Sequence, residues 1–194
     1  RIKALKNGID ITKEVKISDL RDAKNISFTC DSIDIKKSNF YIITVPTPVN
    51  ENKVPDLTHL ISATESVARS IDKGDFIVFE STVYPGATEE ICIPILEAIS
   101  GLELNTGFFV GYSPERINPG QNNQSLKDIL KITSGSNNFA AERIDNLYKT
   151  IIDAGTFKAS SIKVAEAAKV IENIQRDVNI ALVNELAIIF NKIG

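Results

Sequence analysis

Three short, almost wholly apolar runs punctuate the chain: Phe40-Tyr41-Ile42-Ile43-Thr44-Val45, Phe76-Ile77-Val78-Phe79 and Phe108-Phe109-Val110-Gly111-Tyr112. None alternates polar with apolar, so each is predicted as a strand buried on both faces. Pro46 and Pro48 stop the first of them, because proline cannot donate to a strand ladder. Segments of helical period lie between and around these runs. Ile2 to Asn7 reads as a helix closed by Gly8, and Asp19 to Lys24 as another. Asp56 is a candidate N-cap for a helix that carries Leu57, Leu60, Ile61, Thr64, Val67, Ala68 and Ile71 on one face. Helices are also predicted from Ala87 to Ser100 and from Phe139 to Ile152. Two weaker runs, Ile26 to Cys30 and Asp128 to Ser134, read as short strands.

Buried strands that alternate with helices predict an α/β fold: a doubly wound, Rossmann-like parallel sheet covered on both faces. Ligands of such sheets sit outside the carboxyl ends of the strands. The chemistry is therefore expected in the loops after Val45, Phe79 and Tyr112.

From Ser161 the pattern changes. Residues 161–193 contain no Gly or Pro and read as one long helix before Gly194. Ala167, Ile171, Ile174 and Val178 form an apolar stripe, and Lys169, Asn173 and Arg176 form a polar one at i, i+4 and i+7. Beyond Val178 the helix is apolar almost all round, which implies burial on every side. Nothing else in the chain is expected to cover it, so a second subunit or a further segment is. The domain reading is 1–160 for the sheet domain and 161–194 for the start of a helical one.

Composition narrows the functional classes. The chain has 194 residues, 43% apolar and 24% charged, with net charge −3. That is an ordinary globular balance, and its sign argues against nucleic acid or an anionic membrane as partner. No run of about 18 apolar residues suggests a membrane span. Two cysteines make no disulfide framework and point to the reducing cytoplasm. Both Cys30 and Cys92 read as core thiols, and His59, the single histidine, as a structural residue in a helix's first turn. No metal-ligand cluster, GxGxxG motif or P-loop is present. The chain contains no Met and begins with Arg1, so residues upstream are expected.

Three groups of residues carry candidate chemistry. Glu80-Ser81-Thr82-Val83 ends a buried strand with two hydroxyls, suited to a ribose, an amide or an ordered water, or simply to capping the next helix. Ser113-Pro114-Glu115-Arg116 places a carboxylate at another strand end, as a general base or as the organiser of a turn. The Lys169, Asn173 and Arg176 stripe is either a solvated face or an oxyanion site that combines an ammonium, an amide and a guanidinium.

Four motifs in register then resemble one family. They are Thr44-Val45-Pro46-Thr47-Pro48 with Pro55-Asp56-Leu57, Glu80-Ser81-Thr82-Val83-Tyr84-Pro85-Gly86, Gly111-Tyr112-Ser113-Pro114-Glu115-Arg116-Ile117-Asn118-Pro119-Gly120, and Val164-Ala165-Glu166-Ala167-Ala168-Lys169-Val170-Ile171-Glu172-Asn173. Together they look like the UDP-glucose/GDP-mannose dehydrogenase family, and Glu172 to Leu182 resembles its branch acting on UDP-N-acetylhexosamines. The resemblance implies NAD as cofactor and a four-electron oxidation of the sugar C6 of UDP-GlcNAc or UDP-GalNAc to the uronic acid, for bacterial surface polysaccharide. A family cysteine captures the aldehyde as a thiohemiacetal, and the second oxidation gives a thioester that water hydrolyses. The resemblance places Pro46, Thr47 and Ser81 along the cofactor and Thr82 near the nicotinamide and the catalytic water. It makes Glu115 the acid/base for hydrolysis and Lys169 and Asn173 the stabilisers of the oxyanion. Arg176 would contact the sugar or the diphosphate, and the long helix would pair two subunits as a homodimer.

The chain departs from that pattern in three places. The family's glycine-rich βα unit, its Gly-Gly-x-Cys nucleophile and its UDP-binding carboxy-terminal domain find no match, and Cys30 and Cys92 fit neither position. The 194 residues alone are thus expected to be inactive. Two rival readings remain: a hydroxyacid dehydrogenase of the same superfamily, and an inactive truncated paralogue acting as a dimerisation or NAD-sensing module.

Overall fold

Parallel strand pairing dominates the computed structural model of the protein, in which residues 1–12, 15–116 and 126–194 are described. The chain divides into two units, 1–38 and 39–194.

The first unit holds three short helices, α1 (Ile2–Lys6), α2 (Ile17–Asp22) and α3 (Ser32–Ile35). Among its described residues the one buried polar side chain, Asp10, accepts hydrogen bonds from Thr12 N at 3.1 Å, Thr12 Oγ1 at 2.8 Å and Val15 N at 3.1 Å. The run Ile26 to Cys30, read from sequence as a strand, forms none. A strand exists only against a partner, and among the described residues this unit has no other strand to pair with it.

The second unit is built on β1 (Phe40–Ile43), α4 (Thr58–Ala68), β2 (Phe76–Phe79), a π-helical turn (Thr88–Cys92) running into α5 (Ile93–Ser100), and β3 (Phe109–Tyr112). The strands pair in the order β1-β2-β3, all parallel, with Phe40, Phe76 and Phe109 in register. Their rings stack 5.1 and 5.0 Å apart. β2 is buried at every position, as its unbroken apolar run predicts. Among the described residues β1 ends the strand order on one side, and its Ile42 is 45% exposed.

Helices cover both faces. α4 and α5 pack together on one side. On the other, α6 (Asn138–Lys149) buries Ala140, Ile144 and Tyr148 against Phe76 and Val78. Asn137 caps α6, its side chain accepting from Ala140 N at 2.8 Å. The helix expected over Ala87 to Ser100 is real but not uniform. Pro94 has no N–H and crowds the carbonyl four residues back, and the widened π turn just before α5 absorbs that conflict. Asp56 does not occupy the cap position of α4, which falls at Leu57; its carboxylate accepts from Thr58 N at 2.9 Å and Thr58 Oγ1 at 2.5 Å instead.

A second parallel pair, β4 (Lys131–Thr133) and β5 (Thr156–Lys158), continues the layer. β4 is shorter than the run Asp128 to Ser134 suggests, because Leu126–Asp128 coils into a 3₁₀ turn. Two serine hydroxyls and a backbone amide join it to β3. Ser134 Oγ donates to Tyr112 O at 2.7 Å, Ser113 Oγ to Ile132 O at 2.6 Å, and Ser136 N to Val110 O at 2.7 Å. The approach is so close that a Cβ at Gly111 would overlap the Ser134 carbonyl and Ile144 Cδ1.

α7 (Ile162–Ile193) is the single 32-residue helix that the absence of Gly and Pro predicts. Ser161 caps it, accepting from Val164 N at 3.2 Å. Its first turns are buried at Ile162, Ala165 and Glu166. From Ile171 onward its large apolar side chains are exposed, between 39% at Leu186 and 72% at Ile193. Among the described residues, no helix is long and apolar enough to cross a membrane.

Candidate functional site

The carboxyl ends of β1, β2 and β3 converge as the sheet type requires. Between them lies a recess of about 250 Å³ lined by Thr44, Val45, Pro46, Thr47, Glu80, Ser81, Thr82 and Glu115. These are the three loops singled out by sequence. The backbone ladder runs up to the recess, with Glu80 N bonding Ile43 O and Ser113 N bonding Phe79 O, both at 2.9 Å. Ser81 is buried, and its Oγ donates to Val45 O at 2.7 Å, so one hydroxyl of the Ser81-Thr82 pair ties two loops together. Thr82, beside it, is exposed. Tyr112 OH donates to Ser81 O at 3.2 Å from below. Thr47 Oγ1 is buried and has no hydrogen-bond partner among the described residues, which is costly unless a bound group supplies one.

A charged cluster missed by sequence reasoning supports the floor. Glu80 forms an ion pair with Lys131 at 3.3 Å and accepts from Tyr148 OH. Lys131 is 3% exposed and stands 5.4 Å above the Tyr148 ring. Burial, and then the charge of Glu80, push the Tyr148 phenol far above its ordinary value. Burial likewise raises Tyr112, with Glu166 adding to it. The only signal in sequence was a lysine inside an otherwise strand-like run, which in a buried strand demands a paired acid.

Glu115 is partly buried, and its Oε1 accepts from Arg116 N at 2.7 Å. The remainder of its motif, Ile117-Asn118-Pro119-Gly120, lies outside the described residues.

The structure does not bring every candidate into that recess. Lys169 (partly buried) and Asn173 (exposed) sit on α7 and do not line it. Arg176 lines a second, elongated groove of about 570 Å³ with Arg116, Glu172, Asn179 and Ile180. Glu172 bridges the two guanidinium groups, at 3.2 Å from Arg116 Nε and 3.1 Å from Arg176 Nη2. The third motif and the long helix are therefore linked through Glu172.

The cysteines divide. Cys92 is fully buried, and burial pushes its thiol up to about 11, so it is an inert core thiol as expected. Cys30 is exposed rather than a core residue, because the run that carries it forms no strand. Neither lines the recess. His59 is exposed on the first turn of α4.

Comparison with known proteins places this geometry. Residues 1–152 match the UDP-glucose/GDP-mannose dehydrogenase family, NAD binding domain, and residues 163–194 match the central domain of the same family. The chain is 59% identical over 194 residues to UDP-N-acetyl-D-glucosamine 6-dehydrogenase of Pseudomonas aeruginosa and 61% to that of Salmonella typhi. It spans 46% of the length of each. Among solved structures, the UDP-D-ManNAc dehydrogenase of Pyrococcus horikoshii superposes with a TM-score of 0.87 at 33% identity, over 97% of this chain and 45% of that one. The GDP-mannose dehydrogenase of Pseudomonas aeruginosa shares the fold, with a TM-score of 0.85 at 22% identity. The sheet, its strand-end recess and the long helix are thus those of a known dehydrogenase architecture, and the chain belongs to the UDP-glucose/GDP-mannose dehydrogenase family.

Proposed function

We propose that the protein carrying this chain oxidises C6 of a UDP-N-acetylhexosamine, UDP-GlcNAc or UDP-GalNAc, to the uronic acid with NAD. The observation that supports this most is the identity of 59–61% to UDP-N-acetyl-D-glucosamine 6-dehydrogenases across every element that builds the recess and the first turns of α7. In this reading 1–160 is the NAD-binding domain and 161–194 the start of the central helical domain. The setting is the bacterial cytoplasm, supplying a surface polysaccharide, and the subunits pair as a homodimer through the exposed apolar length of α7.

The residues present fit the nicotinamide end of NAD. The recess lies at the strand carboxyl ends and is lined by Thr47, whose buried Oγ1 has no partner among the described residues. NAD, when bound, supplies the hydride acceptor for both oxidations. Pro46, Thr47 and Ser81 form the wall along it, and Thr82 presents its hydroxyl to the nicotinamide and the attacking water. Ser81 cannot move freely, since its Oγ is committed to Val45 O, which leaves Thr82 as the outward hydroxyl. Glu115, at the edge of the same recess, takes the water's proton during thioester hydrolysis. Lys169 and Asn173 aim an ammonium and an amide at the oxygen on C6 as its charge grows. Arg176, held by Glu172 in the neighbouring groove, contacts the sugar or the diphosphate.

The thiol chemistry is not supplied by Cys92, which is buried, or by Cys30, which is outside the recess. The 194-residue chain by itself should therefore release no NADH with either sugar nucleotide. Sugar-dependent NADH formation by the complete protein, and none by residues 1–194, is the expected result. Turnover by the 194-residue chain alone would overturn this assignment of the chemistry.

A further inference from the structure

The Ser81-Thr82 loop and the long helix are far apart in sequence, and a buried side chain joins them. Glu166 is fully buried, yet it belongs to neither the recess nor the groove. Its Oε2 accepts from Gly86 N at 2.6 Å and its Oε1 from Thr88 N at 3.0 Å. Those amides open the helical segment that follows the Ser81-Thr82 loop, and a negative group is favoured at that positive end. Both carboxylate oxygens are thus used, and they fix the axial position and the rotation of α7 together.

What α7 carries beyond this point gives the anchor its meaning. Ile162, Glu166, Lys169 and Asn173 follow one another at i, i+4, i+7 and i+11, a single helical stripe. Lys169 lies about 4.5 Å and Asn173 about 10 Å further along the axis than Glu166, at 1.5 Å rise per residue. The fixed point is therefore within one turn of the first of the two oxyanion groups. Gly86 stands at φ +101°, a backbone conformation that favours glycine, with the ends of the Glu90 and Lys163 side chains beside it. Lys163 adds an exposed tie to Glu90 at 3.0 Å, which at such exposure contributes little.

We infer that Glu166 is a positioning residue: by holding the amides of Gly86 and Thr88, it sets where Lys169 and Asn173 stand relative to the loop carrying Ser81 and Thr82. The inference rests on the roles proposed above for Lys169, Asn173 and Thr82. It predicts a coupling that packing alone would not produce.

The test is a substitution cycle in the complete protein. Glu166→Gln keeps the side-chain shape but turns an NH2 toward one of two amide donors. The expected result is a kcat lower by roughly 10–100-fold, the scale of a 1 Å misplacement, with KM for NAD and sugar nearly unchanged. Amide exchange at Gly86 and Thr88 should accelerate. Combining it with the Lys169→Ala/Asn173→Ala pair should lower kcat little beyond that pair alone, because Glu166 acts through those two residues. Glu166→Asp, one methylene shorter and still a carboxylate, should fold and show the same kcat loss in milder form. A folded Glu166→Gln with wild-type kcat, or multiplicative effects in the cycle, overturns the inference, as does loss of folding by both Glu166 variants. Undiminished kcat in Lys169→Ala alone would instead refute the site reading, while the exchange measurement still reports on the anchor.

Discussion

The two ends of α7 share one helix and have opposite surroundings. Ile162, Ala165 and Glu166 are buried against the sheet domain, and a cap and a buried carboxylate fix them. Val178, Leu182, Val183 and Phe190 are apolar and more than half exposed. Helices within proteins owe most of their stability to packing of an apolar face rather than to propensity. The first end is therefore a structural joint, and the second is an exposed apolar surface. The contrast teaches that one apolar side chain has different consequences at the two ends. At the near end its loss is felt by the fold, and at the far end, in the proposed homodimer, by the subunit contact.

Substitutions sharpen this contrast. Ile162→Ala, at 1% exposure, should destabilise the protein by about 2–5 kcal/mol, as other large-to-small core changes do; thermal or urea unfolding measures it. Between the two ends, Lys169→Ala should reduce kcat by roughly 10²–10³-fold, the usual loss for one oxyanion donor, and leave the unfolding midpoint nearly unchanged. At the far end, Phe190→Asp should leave the unfolding of the sheet domain within about 0.5 kcal/mol, as for other surface changes. It should nevertheless weaken self-association by about 2 kcal/mol or more if Phe190 sits at the centre of the interface, read by sedimentation equilibrium. Equal stability losses for Ile162→Ala and Phe190→Asp would erase the distinction.

The smallest expected effect lies in the sheet domain, away from both ends. Burial acts to raise Asp145, but Lys149 at 2.6 Å and Thr133 Oγ1 at 2.8 Å outweigh it and hold its carboxyl below the ordinary range. A depressed folded value means that this contribution is complete above the unfolded value and is lost as pH falls through the folded one. Asp145→Asn should therefore be less stable than the parent at neutral pH, with the gap closing in acid. A gap that stays constant down to strongly acid pH would contradict it.

Much of this was legible in the chain. Unbroken apolar runs gave away the parallel strands, because a strand buried on both faces leaves no polar alternation. The same runs located the recess, because strand carboxyl ends follow from strand direction. Residues 161–193 declared a helix by lacking Gly and Pro. What stayed hidden depended on tertiary partners. Ile26 to Cys30 has strand composition but no strand to pair with among the described residues of its unit. β5 is three residues, two of them exposed, with no apolar pattern to reveal it. The pairing of Lys131 with Glu80 at 3.3 Å, and of both with Tyr148, crosses between elements distant in sequence. Glu166 stands in the sequence only as a member of the fourth motif; its two partners lie 78 and 80 residues away. Such long-range pairings leave no local period to detect.

The most direct test of the functional account is a count of NADH released per UDP-GlcNAc or UDP-GalNAc consumed by the complete protein. Four-electron oxidation at C6 predicts two NADH per sugar, with the uronic acid as product. One NADH per sugar with an aldehyde or ketone product, or no sugar-dependent NADH at all, would contradict it.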